Sequence, residues 1–135
     1  MSYIFSFEKL TVWIDTKELI KNIYLITKKF PEEEKFGLTS QLRRASVSVA
    51  SNLAEGTSRN TNKDKAHFTT MAYSSLMEVL NQVIISKELN FINDENYKTF
   101  RESIEKIANK LNALRKSQLN KSTIKRLNDN GRHHT

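Results

Sequence analysis

Apolar residues recur along the chain at spacings of three and four, in four blocks separated by short polar links. That period places them on one face of a helix, so each block predicts an amphipathic helix. The first runs from about Phe7 to Phe30, with Leu10, Trp13, Ile20, Ile23, Thr27 and Phe30 along one face. Val12, Leu19 and Ile26 recur every seven residues beside that line and widen it. Such a face fits either a deeply buried helix or one that also packs against another subunit. Pro31 ends the block, because proline blocks helix continuation and constrains the residue before it.

The second helix spans about Leu38 to Glu55, with a core line of Leu38, Leu42, Ala45, Val49 and Leu53, and Gly56 placed to stop it. Its serines and alanines are small enough to let a neighbouring helix approach closely. Thr61 followed by Asp64 resembles a capping box and starts the third helix near Asn62. That helix continues to about Leu89 along Phe68, Ala72, Leu76, Val79, Val83 and Ser86. Asn93 is a suitable N-cap for the fourth, and Asp94 and Glu95 suit the positive end of its dipole. Phe100, Ile104, Ile107, Leu111 and Leu114 form its single apolar stripe. Beyond Ser117 the pattern fades. The expected organisation is a bundle domain over residues 1–117 and a basic, mobile tail over 118–135. Links this short make successive helices neighbours, which predicts an all-α, antiparallel up-and-down four-helix bundle.

Composition supports this reading and removes several functions. With three glycines and one proline, the chain lacks the turn residues that an all-β domain needs. Cysteine is absent, so there is no disulfide framework and no thiolate chemistry, which suits a cytoplasmic protein. The N-terminal segment has no charged start followed by an unbroken apolar run, so no secretory signal is expected. No stretch of about 18 uncharged apolar residues would span a membrane.

The net charge of +7 favours anionic partners, and it is unevenly placed. Residues 7–35 hold six basic and six acidic side chains, residues 36–66 hold five and two, and residues 93–135 hold ten and five. The surplus therefore lies on the second helix with its exit loop, and on the C-terminal end.

The chemistry of catalysis is missing. There is no glycine-rich phosphate cradle and no nucleophile elbow. A single Asp64-Lys-Ala-His67 run has no second helical histidine with which to build a bundle metal site, and His133 and His134 lie in the tail. No cofactor, no metal and no enzymatic activity are expected. Glu55 and Glu78 are the carboxylates nearest the expected core, and are expected to pair with Arg43, Arg44 or a helix end. Arg43 and Arg44 point about 100° apart on a helix, so at least one must reach solvent, a neighbouring subunit or a ligand. They belong either to a solvated charged face or to a phosphate-binding surface.

One long match adds to this. Phe30, Pro31, Glu34, Phe36, Leu38, Thr39, Gln41, Arg43, Arg44, Ala45, Ser48, Asn52, Glu55, Gly56 and Arg59, preceded by Leu10, Val12 and Trp13, resemble in order and spacing the bacterial four-helix-bundle family of 23S rRNA intervening-sequence proteins. Ala72, Ser75 and Glu78 fit its third-helix pattern, with Ser74 where glycine is usual. The resemblance covers about residues 5–115. It implies an antiparallel bundle assembled as a homopentamer. It also implies kinship with the accessory protein of diversity-generating retroelements, a basic pentamer associated with nucleic acid and a reverse transcriptase.

These readings join in one expectation. The chain is a non-enzymatic homo-oligomer that binds RNA or another nucleic acid through Arg43, Arg44, Arg59, Lys63, Lys65, Lys121, Lys125 and Arg126. Trp13, Val12, Leu19, Ile26, Asn52, Glu55 and Glu78 have structural or oligomer roles. The alternative is a scaffold or accessory subunit, docked on a protein encoded nearby, with no nucleic-acid contact.

Overall fold

The computed structural model describes the backbone of residues 2–133, and the side chains in that range except at 122–126 and 129–133. Among these residues there are four α-helices and no strand: α1 (Thr11–Thr27), α2 (Leu38–Thr57), α3 (Asn62–Glu88) and α4 (Asp94–His133). Each packs on its neighbour in sequence and α1 closes on α4, giving the expected up-and-down four-helix bundle.

The predicted first helix is divided. Ser6–Lys9 form a separate 3-10 turn, Leu10 is extended, and α1 begins only at Thr11. At its far end α1 stops at Thr27, three residues before the predicted Phe30. Lys29 and Phe30 instead donate tight turn bonds to the carbonyls of Ile26 and Thr27, both at 3.1 Å. Pro31 thus acts on the turn that leads into it.

The other boundaries follow their local chemistry. Gly37 offers no capping side chain to α2, and the Glu34 carboxylate accepts from Leu38 N at 3.1 Å in its place. Thr61 Oγ1 accepts from Asp64 N at 3.1 Å to start α3. Asn93 Oδ1 accepts from Asn96 N at 2.8 Å to start α4. Asn90, at φ 64°, closes α3, with Phe91 N reaching back to Ser86 O at 2.9 Å and Asn90 N to Lys87 O at 3.0 Å. This is a Schellman closure, with asparagine in the left-handed position that glycine usually takes.

The core is contributed by all four helices. Leu19 and Ile23 meet Leu42 and Val49, Leu76 and Val79, and Ile107 and Leu111, all at most 1% exposed. The row Val12–Leu19 is therefore inside the protomer, while Trp13, Ile20 and Ile26 are half-buried beside it. The most extensive contact is between α2 and α3. Ser48 and Ser75 share a hydrogen bond across it at 2.9 Å. Gly56 lies inside α2, not beyond its end. A Cβ there would stand 2.9 Å from Phe68 Cβ. Its contribution is closeness of approach, where the sequence pattern suggested a stop.

Candidate functional site

Arg43 and Arg44 part company, as adjacent helical positions must. Arg43 is half-buried. Its Nε donates to Thr27 Oγ1 at 2.9 Å, its Nη2 to the Tyr24 carbonyl at 3.4 Å, and its guanidinium lies 4.6 Å from the Tyr24 ring centroid. It thereby fastens α2 to the last turn of α1, where exposed carbonyls favour a cation. Arg44 is exposed.

Both arginines line a shallow groove of about 410 Å³ with Tyr24, Lys35 and Phe36. Phe36 is 89% exposed, and Lys35 Nζ stands 5.7 Å from its ring centroid. Two aromatic faces and three cations thus share one open groove that no carboxylate lines.

The remaining cations lie elsewhere. The fourteen positions from Arg43 to the last residue of α2, Thr57, span about 21 Å at 1.5 Å per residue, and Arg59 lies beyond that end. The exposed Arg59 lies 4.3 Å from the Phe68 ring centroid, and Lys63 is exposed nearby in sequence. Lys65 and Lys121 line a different cleft, of about 220 Å³, with residues of α2, α3 and α4. The side chains of Lys125 and Arg126 lie outside the described residues. The single basic surface expected from the sequence is therefore divided between the two ends of α2.

The residues given structural roles also separate. Val12 and Leu19 belong to the protomer's own core, and Trp13 and Ile26 flank it. Asn52 is half-buried, with Nδ2 donating to Ser48 O at 3.0 Å. Glu55 and Glu78, expected nearest the core, are both exposed. Among the described residues neither forms an ion pair with Arg43 or Arg44, since Arg43 is engaged by α1 instead. Among the described residues no three histidine or carboxylate side chains group as metal ligands, and no helix is long and apolar enough to cross a membrane.

The carboxylate that forms ion pairs between α1 and α4 is Asp15. On α1, it meets Lys110 at 2.6 Å and Lys106 at 3.5 Å, both on α4. Burial pushes its pKa up, but the Lys110 hydrogen bond and the two ammonium charges outweigh this and hold it below the ordinary carboxylate value.

A sequence profile described as 23S rRNA-intervening sequence protein matches residues 8–113, most of the chain. The chain belongs to this family. Among solved structures it is similar to a protein of unknown function from the S23 ribosomal protein family of Bacteroides thetaiotaomicron. The TM-score is 0.73 at 20% identity, covering 78% of this chain and 96% of that one, so the likeness is one of fold. No curated protein matches. Neither comparison indicates an enzyme family.

Within this family member, reasoning from sequence left Phe36, Tyr24 and Lys35 out of the site. Phe36 did carry a signal. It is an aromatic in the polar link FPEEEKFG, off the apolar period of both flanking helices. Tyr24 and Lys35 carried none, because their meeting with Arg43 depends on how α1 and α2 pack.

Proposed function

We propose that this intervening-sequence protein is a non-enzymatic, homo-oligomeric binder of single-stranded RNA, and that the groove between α1 and α2 is its contact surface. The observation that carries this reading is Phe36, almost wholly exposed beside Lys35, Arg44 and the Arg43–Tyr24 stack. Single strands are held by bases stacked on aromatic rings and by cations along the backbone. Arg43 acts as a positioning residue through Tyr24, and Arg44 and Lys35 contact phosphate. Exposed Ile14 and Leu25 on α1 and Val47 on α2 support assembly with further copies.

The test is binding of a labelled, unstructured RNA oligonucleotide at low salt. Affinity falls steeply as salt rises, because phosphate contacts release counterions. Phe36→Ala weakens binding by about tenfold, since stacking on one ring is worth about 1–3 kcal/mol. Equal mobility of the RNA with and without excess protein overturns the reading. Native mass measured with and without RNA reports subunit number. Under the alternative role, as a scaffold for a protein partner, charge reversal at Arg44 dissociates the oligomer. Under the RNA reading it leaves the oligomer intact.

A further inference from the structure

At the other end of α2 the structure holds a cleft of different character. It is lined by Lys65 from α3 and Lys121 from α4, with Asn62, Thr57, Ser117 and Gln118 among its polar walls. Leu53, Leu114 and Gly56 contribute its apolar part. Among the described residues no carboxylate lines it and neither lysine forms an ion pair. Two lysines from separate helices thus line one space with no carboxylate among its described walls.

The cleft wall is also fixed. Thr69, 3% exposed, places its hydroxyl 2.8 Å from Gln118 Oε1, tying α3 to α4. That bond occupies the oxygen of the Gln118 amide and leaves its N–H groups as donors on the cleft wall. Among the described residues every charged group on the wall is a cation, and the amide N–H groups of Asn62 and Gln118 can donate, whereas the Thr57 and Thr69 hydroxyl protons go to the Ala54 carbonyl and to Gln118 Oε1.

We infer that this cleft binds a phosphomonoester. A monoester carries about −1.5 to −2 charges at pH 7, because its second ionisation lies near 6. An internal phosphodiester carries one. Two lysines match the former, and lysine is an established point-charge partner of phosphate. The volume of about 220 Å³ admits a phosphate with its sugar. It falls below the roughly 300–1,000 Å³ of drug-sized sites, so an extended strand does not fit inside. The monoester is either a free mononucleotide or the 5′ end of a strand, which share this chemistry. The site stands independently of the groove at Phe36, since Gly56 in the cleft and Arg43 in the groove lie about 20 Å apart along α2.

The experiment is calorimetric titration of the full chain at low salt with adenosine 5′-monophosphate, inorganic phosphate and adenosine. Both phosphates bind and adenosine does not. Binding weakens between pH 7 and pH 5 as the phosphate takes up its second proton. Lys65→Gln with Lys121→Gln lowers affinity for the monophosphate at least tenfold, with the helical circular dichroism unchanged. Adenosine binding as well as its monophosphate, or the folded double variant binding like the parent, overturns the inference. RNA oligonucleotides with 5′-phosphate and 5′-hydroxyl ends distinguish the sources. A preference for the phosphorylated end that the double variant erases assigns the strand terminus, and equal affinity alongside monophosphate binding assigns the free nucleotide. Loss of 5′-hydroxyl RNA binding in Phe36→Ala reads on the groove alone, so failure of one site does not mimic failure of the other.

Discussion

The contact of α2 with α3 and the contact of α1 with α4 are held together by different physics. Across the first, small residues bring two backbones close. Gly56 abuts Phe68, and Ser48 bonds Ser75. The strength of that seam comes from shape and from this hydrogen bond. Across the second, Asp15 is held by Lys110 and Lys106. That contact is less extensive and depends on charge, so it responds to salt and acid. One bundle therefore contains a seam set chiefly by close packing and a seam that salt and acid can loosen.

The comparison is broken most severely at the core the two seams share. Leu76→Ala removes a side chain with no exposure and costs about 3 kcal/mol, read as a lowered denaturant midpoint with unchanged slope. Gly56→Ala comes next. Alanine gains roughly 1 kcal/mol in helix propensity. It also places a Cβ 2.9 Å from Phe68 Cβ, where relief requires the backbones to separate. The net expectation is a loss of about 1–2 kcal/mol, following the usual cost of overpacking. A gain in stability would show that the seam is looser than its geometry.

Asp15→Asn is smaller, about 1 kcal/mol or less, because Lys106 is well exposed and Lys110 partly so. Its signature is dependence on pH and salt. The folded pKa of Asp15 is lowered, so the contribution of the ionised form is fully present above the ordinary carboxylate pKa. It is lost as pH falls through the lowered folded value. Acid titration of stability is therefore flatter in Asp15→Asn than in the parent, whereas Gly56→Ala shifts the whole curve without changing its form. Parallel curves for Asp15→Asn and the parent would refute the electrostatic account. Phe36→Ala is the smallest in stability, within about 0.5 kcal/mol, as for an exposed side chain away from caps and core.

The same contrast explains what the sequence disclosed. The stripes of α2, α3 and α4 were legible because each is set by local period, and Thr61 and Asn93 were legible as caps because their bonds span three residues. The start of α1 was not, since apolar spacing continues through Leu10 while its backbone is extended. Val12 and Leu19 were seen as apolar, but which side of α1 meets its own bundle is decided by tertiary packing. Gly56 read as a stop signal, although its use lies in a residue of the next helix. The cations were visible one by one. Their division into a groove beside Phe36 and a cleft shared by Lys65 and Lys121 arises from elements far apart in sequence, and Lys65 is 56 positions from Lys121.

The chain's single tryptophan stands where the N-terminal turn folds back on α1. Phe7 meets the Trp13 ring edge-on at a centroid distance of 5.1 Å, and Lys17 Nζ lies 5.3 Å from that ring. Ser6 and Leu10, on either side of Phe7 in sequence, form part of the lysine-lined cleft. The protein thus carries a built-in optical reporter at one wall of that cleft. Occupancy that shifts the turn would change the indole's emission without any added dye.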